Sequence, residues 1–207
     1  TALGVMRNLS EAARMARRAS VQIPEQTAGS SRLLRAYRES SLCAFHDFFY
    51  SRPHEPPERW SRTYDRVSLE HLPPCIRRIL DHPNDWLLKP AGIQLVVRSM
   101  LARGLHPRDI SGLLLARFCR DHGWKKGVHF NDASCRADFY VRLFAGQIAE
   151  GLDEMVDMNC RSTGEKGYCV QACQGDPLIQ LRRCALLRRA SLYPDARRSS
   201  LARARPR

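Results

Sequence analysis

The segment "MNCRSTGEKGYCVQACQGDPL", residues 158–178, places Cys160, Cys169 and Cys173 in a polar, glycine-containing stretch. The stretch has no hydrophobic period, so its own side chains cannot bury enough apolar surface to hold one conformation. Packing therefore does not account for three thiols at this spacing. A metal centre does, because thiolates bind zinc and iron–sulfur clusters, and the bound metal stabilises a short loop that would not fold alone.

Cys75 is the predicted fourth ligand, in "EHLPPCIRRIL", residues 70–80. It follows Pro73 and Pro74 at a predicted helix start, where proline is favoured and unpaired backbone N–H groups stabilise a thiolate. The rival fourth ligand is Cys135, in "NDASCRAD". Four cysteine ligands alone do not distinguish zinc from an iron–sulfur cluster, so both metals stay open at this point.

The other cysteines are predicted to be reduced thiols outside the metal centre. The chain has eight cysteines, but it is too long for a disulfide-rich miniature protein and shows no export signal. Cys43 and Cys119 lie in amphipathic helical patterns, where a free cysteine packs as a small hydrophobic residue. Cys184 lies among arginines and has no predicted role.

Hydrophobic residues recur at three- and four-residue spacing along most of the chain, which predicts an all-α fold. No alternating strand pattern of useful length and no internal repeat is present in the sequence. Pro107 in the first turn of one predicted helix and Gly123 just past its end are typical helix boundaries. The predicted helices are residues 7–19, 32–50, 74–80, 92–103, 107–122, 134–156 and 176–189.

Three segments are predicted along the chain. Residues 1–65 form a helical N-terminal appendage that ends in a linker, because "SRPHEPPERWSRTYDR", residues 51–66, is rich in proline and charge and has no period. Residues 66–189 form the helical domain around the four-cysteine site. Residues 190–207 form a disordered, arginine-rich tail, since this composition cannot bury a core of its own.

The net charge of +13 is concentrated at the C-terminus. Residues 182–207 contain nine Arg and one Asp, which is eight of the thirteen net positive charges. Such a segment attracts polyanions, and nucleic acid is the predicted partner. The alternative is a solvated tail that only keeps the protein soluble. No apolar run approaches the roughly 20 residues that cross a bilayer, and the charged N-terminus does not read as a signal peptide. A cytoplasmic or nucleoid-associated protein without membrane contact is therefore expected.

These motifs, in this order, resemble the C-terminal iron–sulfur domain of the large subunit of archaeal and eukaryotic DNA primases. "LPPCIRRIL" is followed by the helix pattern "GIQLVVRSMLARGL", by further helices, and then by "NC", "GYC", "C" and "DPL". The resemblance covers residues 69–181. In that family one cysteine follows Pro-Pro at a helix start and the others come at the end of the helical core. It therefore implies an all-α domain in which Cys75, Cys160, Cys169 and Cys173 bind one [4Fe–4S] cluster.

The resemblance also implies a role in primer synthesis. In the family, basic residues after the first cysteine hold the template and the 5′-triphosphate of the initiating nucleotide, and a separate subunit performs the phosphoryl transfer. The implied partners are a DNA template or primer-template and a primase-polymerase-type catalytic subunit. Where relatives carry a run of His and Arg, this chain has "DHPNDWLLKPAG", with two aspartates. The residues that the resemblance assigns to nucleic-acid binding are Arg77, Arg78, His82, Lys89 and Arg98.

A second basic and aromatic patch is predicted at Trp124, Lys125 and Lys126, in "HGWKKGVHF". Positive charge beside a ring suits phosphate contact together with base stacking. The alternative is that Trp124 belongs to the core and the lysines to a solvated turn.

No catalytic residue is predicted. Nucleotidyl transfer needs carboxylates that converge on metal ions. Asp153 and Asp157 would share a helix face, with Glu154 beside them, but three acids at a helix end are more typical of a solvated surface. No Gly-rich phosphate loop appears in the sequence. The chain is therefore predicted to be a non-catalytic accessory protein, and the alternatives are a zinc-stabilised DNA-binding regulatory protein and a redox-sensing iron–sulfur protein.

Overall fold

A computed structural model describes residues 28–83, 89–121, 133–169, 171 and 173–192. Several predictions from the sequence fall outside these ranges: the helix over 7–19, the patch of Trp124, Lys125 and Lys126, and residues 193–207 of the predicted tail. The side chains of Cys119 and Cys135 also lie outside the described part.

Within the described ranges the chain is mainly helical and forms no strand, which confirms the all-α prediction. A 3₁₀ turn over Pro57–Arg59 precedes α3, and another over Arg189–Leu192 follows α9. The α-helices are α1 (Ala28–Arg38), α2 (Ser41–Tyr50), α3 (Trp60–Thr63), α4 (Pro74–Asp81), α5 (Pro90–Ala102), α6 (Pro107–Asp121), α7 (Ala133–Glu150), α8 (Cys160–Glu165) and α9 (Pro177–Arg188).

Proline marks the start of four of these helices, because its fixed φ suits the first turn and its missing N–H would have no partner there. The four prolines are Pro74, Pro90, Pro107 and Pro177. A side-chain cap starts α2, where Ser40 accepts a hydrogen bond from the amide of Cys43 at 3.2 Å. The helical stretch predicted over residues 32–50 is consequently two helices, divided at Glu39 and Ser40.

The hydrophobic core forms around α5, which packs against α4, α6, α7 and α9. Every residue of α5 from Leu95 to Ala102 is buried, including Arg98 and Ser99. A helix that is buried on all sides lies in the interior of a domain rather than on its surface. Because α5 contacts the helices on every side, it is the common support for elements that are distant in sequence.

The chain divides into two compact units between Glu39 and Ser40. The described part of the first unit is α1, which exposes Leu33. The second unit begins at Ser40, whereas the sequence predicted the main domain to begin near residue 66. The difference arises because aromatic side chains of α2 and of the proline-rich linker are buried in the same core as the later helices. These side chains are Phe45, Phe49, Trp60 and Tyr64.

The end of α7 also differs from the prediction. The helix ends at Glu150 instead of continuing to residue 156, because Gly151 adopts a left-handed conformation (φ 77°) and the amide of Leu152 returns to the Gln147 carbonyl at 2.8 Å. Asp153 and Asp157 therefore lie in a loop and do not share a helix face.

The C-terminal boundary lies later than predicted. Residues 190–192, assigned to the tail from the sequence, belong to the 3₁₀ turn after α9, and Leu192 is buried. No helix in the described ranges is long and apolar enough to cross a membrane.

Candidate metal centre

Cys75 lies in the first turn of α4, directly after Pro74, and its side chain is part of the hydrophobic core with 2% of its surface exposed. Burial, and after it the neighbouring thiols of Cys169, Cys160 and Cys173, raise the pKa of Cys75 to about 12. These three residues follow Cys75 by more than eighty positions, so the fold returns the chain to the start of α4.

Cys160 is the first residue of α8. Asn159 caps this helix by accepting a hydrogen bond from the amide of Ser162 at 2.8 Å. The amide of Cys160 itself donates to Oδ2 of Asp176 at 2.9 Å. Burial, together with the hydrogen bond and negative charge of Asp176, raises the pKa of the Cys160 thiol to about 11. A metal bound at this sulfur would displace its proton, because the thiolate is the ligand.

Cys169 and Cys173 share one hydrogen-bond acceptor in the backbone. Their Sγ atoms both donate to the carbonyl oxygen of Gln171, at 3.2 and 3.8 Å. The buried ring of Tyr168 anchors the start of this turn to the core, and the amide of Tyr168 donates to the Thr163 carbonyl at 3.1 Å. The short loop between α8 and α9 is thus folded back so that its two cysteines face the same side.

The four predicted ligands therefore come from three parts of the chain: the first turn of α4, the first residue of α8 and the loop before α9. The six cysteines whose side chains the structure describes are free thiols. The donor set fits a soft metal centre, since it consists of thiols alone. Within the described residues, no three Cys, His, Asp or Glu side chains are close enough together to enclose a single metal ion.

A basic cleft of about 480 Å³ adjoins the cysteine loop. The α4 region contributes Arg77, Arg78, Asp81 and His82 to its lining, and the loop contributes Gln171. Three of the predicted nucleic-acid contacts therefore lie beside the candidate metal centre. The guanidinium of Arg77 also donates a hydrogen bond to the Glu70 carbonyl at 3.0 Å. Lys89, another predicted nucleic-acid contact, lies outside this cleft at the start of α5.

Arg98, the fifth predicted nucleic-acid contact, lies in the interior and is 5% exposed. Its guanidinium donates to both carboxylate oxygens of Asp153, at 2.8 and 2.9 Å, and to Asp157 at 2.8 Å. These carboxylates are the acids that the sequence analysis considered for catalysis. The structure assigns all three residues to one ion network, so the guanidinium of Arg98 faces carboxylates rather than solvent.

The link between Asp176 and Cys160 was not predicted from the sequence. Asp before Pro is a typical helix start, and Oδ1 of Asp176 does accept hydrogen bonds from the amides of Leu178 and Ile179 at 3.1 and 3.2 Å. Nothing in the sequence indicates that the second oxygen binds the amide of Cys160. Hydrogen bonds to these amides and to the thiol of Cys160 outweigh burial and lower the pKa of Asp176.

No known protein family matches this chain, and neither the curated proteins nor the solved structures include a match to it. The resemblance to the primase large subunit therefore rests on the cysteine motifs and on their order along the sequence.

Proposed function

We propose that this chain is a nucleic-acid-binding iron–sulfur accessory protein that assists primer initiation by a separate catalytic subunit, as the DNA primase large subunit does. One observation carries the proposal. Cys75 is distant in sequence from Cys169 and Cys173, yet Pro74, next to Cys75, lines the same cleft as Gln171, whose carbonyl accepts hydrogen bonds from both of these thiols. A metal centre would give a reason for thiols from distant parts of the chain to meet beside this cleft.

Cys75, Cys160, Cys169 and Cys173 would hold the [4Fe–4S] cluster. When bound, the cluster supplies a covalent cross-link between the start of α4 and the chain on both sides of α8. The residues of the chain supply the rest: α4 presents Cys75 from the core, Asp176 fixes the amide of Cys160, and the turn at Gln171 orients the other two thiols.

The basic cleft supports the nucleic-acid part of the proposal. Arg77 and Arg78 follow Cys75 on α4, and His82 lies at the C-terminal end of this helix. A metal bound at Cys75 would therefore hold the segment that carries them. Guanidinium groups bind phosphate oxygens through paired N–H donors. The first dinucleotide of a primer has no stacked duplex to hold it, and a surface that grips template and initiating nucleotide lowers the entropic cost of that step.

Metal content tests the proposal directly. Protein purified without air should contain about four irons and four sulfides per chain. Replacing any of Cys75, Cys160, Cys169 or Cys173 by Ser should remove the metal, and the matched controls Cys43→Ser and Cys184→Ser should keep it. Stoichiometric zinc without iron would replace this proposal with the zinc-stabilised reading, and retention of iron by all four variants would refute the ligand assignment.

A primer assay tests the role. The cluster-loaded chain alone should make no primers, and with a primase-polymerase-type catalytic subunit it should raise initiation of new chains more than extension of existing ones. During extension the primer is already held in a stacked duplex, so an additional binding surface increases the rate less than it does at initiation. A loaded chain that neither binds DNA nor changes initiation would exclude the accessory role. Primer synthesis by the chain alone would show that it is an enzyme.

A further inference from the structure

Arg98 is the centre of an ion network that joins α5 to the loop before α8. An arginine is seldom buried without partners, and this one has two carboxylates. Nε and Nη2 bind Asp153 in a bidentate arrangement, and Nη1 binds Asp157. Bidentate, charge-assisted hydrogen bonds are strong and directional. Both carboxylates are consequently held at fixed positions on the surface of α5.

Asp157 extends the network to the far end of α8. Its Oδ2 accepts a hydrogen bond from Nζ of Lys166 at 2.5 Å, while Oδ1 binds Arg98. Asp157 lies three residues before Cys160, and Lys166 lies three residues before Cys169. The ion pair thus links the two ends of the segment that contains Cys160 and α8, and Asp157 joins this segment to Arg98.

The loop between α7 and α8 has a strained backbone at Met155, which has a positive φ of 52° and is almost fully buried. A non-glycine residue keeps this conformation only when its surroundings impose it. Here the amide of Met155 donates to Oδ1 of Asp153 at 2.8 Å, and Arg98 holds the same carboxylate. The path of the chain from α7 to Cys160 therefore depends on the Arg98 network.

We infer that Arg98 and Asp157 are positioning residues that set the location of Cys160 and Cys169 relative to Cys75. The inference rests on the proposed metal centre. Its physical basis is that α5 packs against α4, which carries Cys75, and through Arg98 also holds the loop that leads to α8. One helix thereby supports both sides of the centre. Groups that orient metal ligands without touching the metal typically change affinity by about 10–100-fold when they are removed.

The test uses variants at the exposed end of the network, because removing Arg98 would leave the buried carboxylate of Asp153 without a counter-ion and could unfold the chain. Asp157→Asn keeps an oxygen for Arg98 but removes the charge shared with Lys166, and Lys166→Met removes the other partner. The matched control is Arg161→Met, which breaks an ion pair with Glu165 at 3.2 Å on the same helix but does not reach α5. The Lys166–Asp157 and Arg161–Glu165 pairs are solvent-accessible, so the urea unfolding midpoints of Lys166→Met and Arg161→Met should change little.

Two readouts decide the inference. In anaerobically loaded protein, Asp157→Asn and Lys166→Met should release metal to a chelator about tenfold faster than the unaltered chain, while Arg161→Met should match it. In metal-free protein, Asp157→Asn should increase the labelling rates of Cys160 and Cys169 by a small thiol reagent relative to the exposed Cys184.

Equal release rates and equal labelling in all variants would overturn the positioning role. If the unaltered chain binds no metal, the proposed function fails, and the labelling of metal-free protein still decides whether the network positions these thiols. Faster labelling in Arg161→Met as well would assign the effect to α8 alone and would also overturn the inference.

Discussion

The carboxylate of Asp176 accepts a hydrogen bond from the backbone amide of Cys160 at 2.9 Å. The other oxygen of the same carboxylate caps α9 by accepting hydrogen bonds from Leu178 and Ile179. One side chain therefore joins the start of α8 to the start of α9, although Cys160 and Asp176 are sixteen residues apart in the chain. The loop that contains Cys169 and Cys173 is enclosed between these two points.

Asp176→Ala should destabilise the chain by about 1 kcal/mol through loss of the helix cap, and should also accelerate metal loss because the amide of Cys160 loses its partner. Urea unfolding of metal-free protein and chelator-driven release of metal measure the two effects separately. Ser40→Ala removes the cap of α2 and is the matched control: it should cost a similar free energy without changing metal release. Equal metal release in the two variants would contradict a role for Asp176 at the cysteine site.

The helix starts could be predicted because they depend on local signals. Proline at a first turn has the same effect in any helix, so the starts of α4, α6 and α9 lie within one residue of the expected positions. The effect of proline does not depend on how the helices pack against one another.

Burial by tertiary packing could not be predicted in the same way. Trp60 and Tyr64 occur in a charged, proline-rich stretch, yet both are buried because distant helices cover them. Arg98 shows the converse case, since nothing near it in sequence indicates that Asp153 and Asp157 will reach it from a loop more than fifty residues later. Charge and hydrophobic periodicity are properties of one segment of sequence, whereas burial depends on which segments pack together in the folded chain.

Gly112 leaves room for the ring of Tyr64. A Cβ atom on Gly112 would lie 1.9 Å from the hydroxyl oxygen of Tyr64 and 2.2 Å from its Cζ atom, and Tyr64 is 2% exposed. Gly112→Ala should therefore force a buried ring to move and destabilise the chain by about 1–3 kcal/mol. Chemical denaturation with a circular-dichroism readout measures this free energy of unfolding.

Gly164→Ala is the matched control for this prediction. Gly164 is a helical residue in α8, and nothing lies within 4 Å of the position its Cβ would take. Alanine there should be neutral or stabilising by up to about 1 kcal/mol, since glycine loses more conformational entropy in a helix. A stable Gly112→Ala variant would show that the ring of Tyr64 does not pack against Gly112 as described.

His106 should make the stability of the chain depend on pH. Its Nδ1 atom accepts a hydrogen bond from the amide of Arg108 at 3.1 Å, so the proton of the neutral ring is on Nε2, which donates to the Phe48 carbonyl at 3.1 Å. Burial, and after it the positive charge of Arg52, lower the pKa of His106. Protonation of Nδ1 would break the bond to Arg108.

Because the pKa of His106 is lower in the folded chain than in the unfolded chain, its contribution to stability is present above about pH 6.5 and is lost as the pH falls below it. Urea midpoints between pH 8 and pH 5.5 should show this loss. His106→Gln cannot be protonated, so the difference in midpoint between this variant and the unaltered chain should shrink as the pH falls. A constant difference over that range would contradict the neutral, buried ring.

The basic cleft beside the cysteine loop should determine how DNA binding depends on salt. Each phosphate that a protein neutralises on single-stranded DNA contributes about 0.7 to the slope of log affinity against log salt concentration, because counterions are released. Arg77→Glu and Arg78→Glu should each weaken binding and lower the slope by about that amount per lost contact. Fluorescence anisotropy with a labelled oligonucleotide at several salt concentrations gives both quantities.

Arg161→Glu separates a local effect from net charge. It changes the charge of the chain by the same amount at a side chain that is 90% exposed on α8, outside the cleft. It should reduce affinity less than either cleft variant. Truncation after Leu192 keeps this buried residue and removes the five arginines that follow it in the sequence. If Arg161→Glu weakened binding as much as Arg77→Glu, or if the slope fell only on truncation, DNA would be held by diffuse charge and not by the cleft at the cysteine site.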